Sequence, residues 1–405
     1  MPRISERPQN QSVRIFWVIW TAALVLKLFI AAETPGTSDV QYWGNHGVIL
    51  AKNGLAAAYR SSAMYNPTPL MAGYAALLAT LFGPGTVVFA FWLRLPGIIA
   101  EALLAVALWR RGRRTGTPLC WVVLLFVLNP VSLAVTGYHG NVDGLSAAML
   151  VAALLAAADN RAVACGLWLG FAVAVKVPAL LPGPAFLLWW AARGRTRAFV
   201  AAAAAVVLAG WGPALWACPR EFAERVLGYS GIWGVWGISR ILYVTGWDGF
   251  HSITYSAPSF AARVLTTALK AAVVAWACLL AWRRRKMDST GLTGTVAATW
   301  IAFLVLAPSG ATQYLIWPVL PLLLHNVRIG TAYVIAATPV MIFYYTALVA
   351  FLLPWNPLPS LTSVCPWLAG PEGWCWPGLM LWLTLVVIAT RELPRCWKKE
   401  SAALG

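Results

Sequence analysis

Apolar runs of helix-spanning length, separated by short polar turns, make up most of this chain. A helix needs roughly 17–25 apolar residues to cross a bilayer. By that measure the pattern predicts spans at 15–32, 88–109, 118–136, 143–158, 162–177, 179–192, 198–216, 259–282, 291–307, 313–325, 329–351 and 377–390. Pro35 and Gly36 end the first of them. The 14-residue apolar segment from Pro69 to Phe82 is bounded by Pro67 and by Gly83-Pro84-Gly85 and is too short to count as a span. If it does not cross, Arg110, Arg111, Arg113 and Arg114 fall on the cytoplasmic side, as the positive-inside rule requires. The clusters Arg193/Arg195/Arg197, Arg283/Arg284/Arg285/Lys286 and Arg391/Arg395/Lys398/Lys399 then fall there too. The expected fold is all-α: one polytopic transmembrane helical bundle over residues 1–405, with about 12 spans. No separate soluble domain is expected, and short amphipathic or juxtamembrane helices sit in the first extracytoplasmic loop. Both termini are expected in the cytoplasm. The outer face is then built from 33–87, 137–142, 217–258, 308–312 and 352–376.

Composition agrees with this layout. Of the 405 residues 60% are hydrophobic and only 11% charged, against about a quarter charged in soluble domains. Mean hydropathy is +0.71. The net charge of +17 sits in short loops and on no continuous face, so it reads as membrane orientation and not as nucleic-acid binding. Many of the 24 tryptophans lie near span ends, where indoles favour the headgroup layer. Arg3, Arg7 and Arg14 precede the first apolar run and no small-residue cleavage site follows it. This reads as a retained signal anchor. An Ala-, Arg- and Trp-rich chain without organelle signals fits a bacterial inner membrane.

Few polar groups interrupt the apolar background, and those few are the candidates for chemistry. The outer acids are Glu33, Asp39, Asp143, Glu221, Glu224, Asp248 and Glu372. Asp39 stands immediately after the first span and could act as a base or cap a short helix beginning near Val40. Gly137-Tyr138-His139-Gly140-Asn141-Val142-Asp143-Gly144 is a polar octet between two spans, following the helix-loosening Asn129-Pro130. His139 and Asp143 share a face if that turn is helical. Alternatively Asp143 caps the next helix while His139 is solvated. Lys176, before Val177-Pro178, is a costly cation in apolar sequence. It either snorkels to headgroups or meets a lipid phosphate. The loop 229–240 alternates aromatic residues with glycine and ends in Arg240, which suits a sugar groove with a phosphate fork or an interfacial helix anchored by tryptophan. Arg94 and Glu101, two turns apart, read as an internal ion pair. Cys365 and Cys375 could form an outer disulfide, while Cys120, Cys165, Cys218, Cys278 and Cys396 are scattered. There is no phosphate-binding glycine loop, nucleophile elbow or zinc signature. No metal ligand cluster is apparent, although a divalent metal remains compatible with the first-loop acid.

The order of these pieces resembles the GT-C superfamily of integral-membrane glycosyltransferases. The pieces are an acid after the first span, Tyr65-Asn66-Pro67-Thr68-Pro69-Leu70 opening a non-crossing helix, Arg94-Leu95-Pro96, Asn129-Pro130 with His139-Gly140-Asn141-Val142-Asp143, Lys176-Val177-Pro178, and Gln313-Tyr314-Leu315-Ile316-Trp317. The later pieces are similar to its mannosyl- and glucosyltransferase branches. Two departures stand out. Asp39 has only Glu33 nearby where many members carry an acidic pair, and Thr68 replaces a common second proline. The resemblance implies inverting transfer of a hexose such as mannose from a polyprenyl-phosphate donor to a glycan, lipid or protein acceptor on the extracytoplasmic face. Asp39 would then be the general base. Arg240, Lys176 and His139 are expected on the donor phosphate, and Asp143, Asn141, Tyr65, Trp236 and Gln313 on the sugar or acceptor. A flippase of lipid-linked sugar and an oligosaccharide ligase or polymerase are the alternatives.

Overall fold

A computed structural model describes residues 7–116, 120–246 apart from 230, 232 and 235, 259–343 with 345, and 375–401. Among them the protein is all helical, with no strand. Asp248, Glu372 and the Cys365–Cys375 pairing lie outside the described residues. In chain order the helices are α1 (Arg7–Glu33), α2 (Ser38–Asn53), α3 (Leu55–Ser61), α4 (Pro69–Phe82), α5 (Val87–Thr115), α6 (Cys120–Val127), α7 (Pro130–Ser132), α8 (Asp143–Ala158), α9 (Ala162–Val175), α10 (Gly183–Ala191), α11 (Thr196–Ala217), α12 (Pro219–Phe222), α13 (Gly237–Val244), α14 (Phe260–Arg284), α15 (Ser289–Leu306), α16 (Val319–His325), α17 (Val327–Phe343) and α18 (Cys375–Ser401).

Six helical stretches are long and apolar enough to cross a membrane: Val13–Glu33, Val87–Thr115, Val122–His139, Thr196–Ala217, Phe260–Arg284 and Ser289–Leu306. Six shorter apolar helices accompany them, Pro69–Phe82 included. The layout therefore departs from twelve uniform spans in specific places. The 118–136 run is interrupted at Asn129, which caps α7 by accepting from the Ser132 amide at 2.8 Å. A π turn, Leu133–His139, then carries the chain to Gly140. The 313–325 run is a 3₁₀ turn, Thr312–Ile316, followed by the seven-residue α16, too short to cross. The 162–177 run stops at Lys176, whose extended backbone (φ −151°, ψ 123°) breaks the helix before Val177-Pro178.

Buried polar contacts lock the first span to its neighbours. Lys27 Nζ lies 2.5 Å from Glu101 Oε2, both almost fully buried. Ser132 accepts from Lys27 at 2.7 Å and donates to Glu101 at 2.8 Å, and Thr136 donates to the other Glu101 oxygen at 2.7 Å. A charge in apolar surroundings is tolerable only when so compensated. Glu101 is thus paired with Lys27 and not with Arg94, which corrects the sequence expectation. Arg94 instead donates to backbone: to Thr34 O at 2.5 Å, Gly137 O at 3.1 Å and Tyr138 O at 3.2 Å, besides Thr34 Oγ1 at 2.9 Å. One side chain therefore clamps the loop after α1 to the π turn.

Thr68, at the departure from a second proline, has its own use. Its hydroxyl donates to Val175 O at 3.1 Å, in a buried contact. A proline there could not make that bond. Thr68→Val keeps the shape but orphans the carbonyl, at about 1 kcal/mol. The expected readout is a thermal midpoint in detergent lower by a few degrees and restored by Thr68→Ser. No change in T68V would mean that the bond contributes nothing.

Candidate functional site

The loops joining α1 to α2 and the π turn to α8 meet at one end of the bundle. Two glycines make the approach possible. Gly36 (φ +79°) and Gly140 (φ +83°) both pack on Val40, where an added Cβ would come within 2.7 and 2.2 Å of its Cγ2. Positive φ and lack of space both exclude a side chain. Thr37 fastens the two loops, its amide and hydroxyl donating to His139 O at 3.3 and 2.7 Å. Thr37 also caps α2 by accepting from the Asp39 amide at 3.3 Å. The cap expected of Asp39 is therefore made by Thr37, and the Asp39 carboxylate is left for other contacts.

Those contacts are with the octet. Asp39 Oδ2 accepts from Asn141 Nδ2 at 3.0 Å and lies 3.0 Å from His139 Nε2. His139 Nδ1 is 2.8 Å from the Tyr345 hydroxyl. An ionised carboxylate only accepts, so Nε2 carries a proton toward Asp39. In the neutral ring Nδ1 then accepts from Tyr345. Asn141 Oδ1 accepts from Lys176 Nζ at 3.3 Å, and the same ammonium lies 3.4 Å from Asp143 Oδ2. Trp317 Nε1 donates to Asp143 Oδ1 at 2.9 Å. The result is a continuous chain, Tyr345–His139–Asp39–Asn141–Lys176–Asp143–Trp317. All of it is buried except Asp39, whose side chain is 38% exposed. Asp39 is the member of this chain that reaches the surface.

His139 and Asp143 do not share a helical face. The π turn ends at His139, Gly140 is left-handed, and α8 starts at Asp143. The octet places its two ends on opposite sides of Asn141. His139 is oriented by Asp39 and Tyr345 and not by Asp143, which is fully buried.

The remaining predicted residues lie elsewhere. Tyr65 is fully buried and stacks on His46 at 4.5 Å, further along α2. Arg240 donates to Gly234 O at 3.2 Å and lies over the Tyr243 ring at 4.6 Å. Trp236 donates to Leu304 O at 2.7 Å, which ties the 229–240 loop to the end of α15. Gln313 is half-buried in the 3₁₀ turn beside Tyr314. Tyr314 interacts electrostatically with Tyr229, Asp143 and Asp39, so the start of the 229–240 loop borders the site. Tyr345, the Trp317–Asp143 contact and the clamping role of Arg94 went unnoticed in the sequence. Among the described residues no three His, Cys, Asp or Glu side chains are grouped to hold a metal.

Burial pushes the Asp39 carboxyl upward, but His139, Asn141 and Lys176 outweigh it and the net shift is below the ordinary value. A carboxyl depressed in the folded state stabilises above its unfolded-state value, about 3.9. That contribution fades as pH falls through the folded value. The thermal midpoint is thus expected to be insensitive to this group above about pH 5, with loss only in stronger acid. Asn141→Ala is expected to move the acid limb of the midpoint's pH profile to higher pH, and an unmoved limb would remove Asn141 from that role.

Residues 54–193, about a third of the chain, match the family model described as alpha-(1→6)-mannopyranosyltransferase, N-terminal domain. This is a GT-C type membrane mannosyltransferase family. The matched stretch contains Tyr65, Arg94, His139, Asn141, Asp143 and Lys176. Asp39, Arg240, Gln313 and Tyr345 lie outside it. No curated protein matches the chain.

Proposed function

With the model of a mannosyltransferase domain matching the segment that supplies His139, Asn141, Asp143 and Lys176, we propose that the protein transfers a mannosyl group from a polyprenyl-phosphate donor to an acceptor hydroxyl. The family match supports glycosyltransferase activity. The observation that carries the mechanism is the part-exposed carboxylate of Asp39, held by His139 and Asn141 where the two loops meet.

In the proposed step the acceptor oxygen attacks the anomeric carbon as its proton passes to Asp39. The bond from that carbon to the phosphate oxygen breaks on the opposite face, and the phosphate leaves with the electron pair. The configuration inverts. His139 and Asn141 hold Asp39 with one oxygen occupied and the other toward the acceptor. Because its pKa is depressed, Asp39 is a weak base in the ground state. It takes the proton only as the new bond forms and the hydroxyl acidifies. Lys176 sits one residue behind this arrangement and supplies positive potential to the departing phosphate. Phosphate arriving at Lys176 would compete with Asp143 for the ammonium, so donor binding and the Lys176–Asp143 contact are expected to trade off. The apolar tail of the donor would stay among lipid and helices, gaining about 0.8 kcal/mol per buried methylene. In this reading Asp39 faces the extracytoplasmic side and the basic turns at the other end face the cytoplasm.

The test is direct. Purified protein is given radiolabelled mannose on a polyprenyl phosphate or on a nucleoside diphosphate, with a mannoside acceptor. Labelled product from the lipid-linked donor alone is expected. Product from the nucleotide sugar alone overturns the donor assignment, and donor crossing sealed vesicles without product favours a flippase.

A further inference from the structure

A second polar concavity lies at the far end of α8 from Asp143, about 24 Å away for a 16-residue helix. It is a cleft of about 450 Å³ where three interhelical turns meet. Its lining includes Asn160 after α8, Trp189, Arg193 and Arg195 between α10 and α11, and Asp288 and Ser289 at the start of α15. We propose that this cleft binds a phosphate-bearing anion, either an anionic lipid headgroup or a soluble phosphate ester. The proposal does not depend on the transfer reaction.

The cations here are built into the fold. The Arg193 guanidinium lies 3.6 Å over the Trp189 ring and donates to Trp189 O at 3.0 Å and Met287 O at 2.7 Å. Trp189 in turn donates to Met287 O at 3.0 Å, so ring and guanidinium form one fixed wall. Arg195 donates to Asn160 O at 2.8 Å, which uses one of the five donors of its fork. Asn160 itself holds a left-handed backbone (φ 56°), which shapes the turn that receives Arg195. The one acid of the lining, Asp288, caps α15 by accepting from the Gly291 amide at 2.8 Å and also attracts Arg193, so the lining sets two guanidiniums against one carboxylate. The positive end of α15 adds to the field at Ser289. Arg161, Arg197, Arg283, Arg285 and Lys286 surround the same three turns in sequence, while Arg111 is already paired with Asp159.

A planar guanidinium matches two phosphate oxygens, and fixing it beforehand reduces the entropy lost on binding. Small-molecule sites run from about 300 to 1,000 Å³, so the cleft accommodates a phosphodiester headgroup and not a folded partner. In the orientation proposed above this end faces the cytoplasmic leaflet, where anionic headgroups gather.

Native mass spectrometry of the full chain, with phosphatidylglycerol or phosphatidylcholine offered in the micelle, provides the first arm. Thermal shift with inorganic phosphate and glycerol phosphate provides the second. The wild type is expected to retain phosphatidylglycerol over phosphatidylcholine, and Arg195→Gln to lower that retention about tenfold, the equivalent of one charge-assisted contact. If phosphate stabilises the wild type but not R195Q while lipid retention is equal in both, the anion is the soluble one. Ser289→Glu, which places a carboxylate in the cleft without touching Arg193, is expected to act as R195Q does. Size-exclusion profile and thermal midpoint of each variant without added anion report that it has folded. Equal lipid retention and equal phosphate response in wild type, R195Q and S289E overturn the proposal.

Discussion

Asp39→Asn is expected to abolish most transfer while leaving the protein intact. The amide has the shape of the carboxylate, and its oxygen can still accept from both His139 and Asn141. The two loops stay fastened, because Thr37 and Arg94 hold them through backbone carbonyls. What the amide lacks is a site for the acceptor proton. A positioned base contributes about 10²–10⁴-fold, so turnover should fall by that factor with donor binding unchanged. Size-exclusion profile and thermal midpoint should match the wild type. Wild-type turnover by D39N would remove Asp39 from proton transfer.

Arg94→Met is expected to have the largest effect on stability. The substitution preserves much of the buried volume but removes every donor to Thr34, Gly137 and Tyr138. Polar contacts between membrane helices are worth about 0.6 kcal/mol on average and up to about 1.7. Losing four long-range bonds at once therefore costs several kcal/mol and leaves buried carbonyls unpaired. Arg94→Lys is expected to recover only part of this, because a point donor cannot serve three carbonyls. The measurements are thermal midpoint and transfer rate in the same detergent. A midpoint in R94M equal to the wild type would show that the clamp is dispensable.

Legibility followed the range of the forces involved. Long uniform apolar runs such as 15–32 and 198–216 fall inside α1 and α11, because local hydropathy alone places them. The bounds of α4 were readable because Pro69 opens it and Gly83 closes it. The run 118–136 overlaps the crossing stretch Val122–His139, but a hydropathy window does not register Asn129 capping a new helix inside it, and 313–325 misled because such a window does not register Pro318 opening a separate short helix after a 3₁₀ turn. In the site, Asp39, His139, Asn141, Asp143 and Lys176 stood out because polar groups in apolar sequence need partners. That they would partner one another was not readable, since Asp39 and His139 are a hundred residues apart. Tyr345 carried no signal in a chain with 12 tyrosines, and Trp317, although part of the Gln313–Trp317 piece, gave no hint of its contact with Asp143. Arg94 and Glu101 misled through spacing: residues seven apart share a helical face, but each found better partners on other elements.

The 14-residue α9 ends at the break that presents Lys176. Its outward face carries Val163, Leu167, Trp168 and Phe171, all well exposed on the protein surface. At 1.5 Å per residue the helix is about 21 Å long, against a hydrocarbon thickness of about 30 Å. With α9 set against a bilayer, lipid beside it would have to thin to match that length, a hydrophobic mismatch that draws the headgroup plane inward on that flank. The proposed lipid-phosphate donor, diffusing along such a thinned border, would reach the level of Lys176 without leaving its own leaflet.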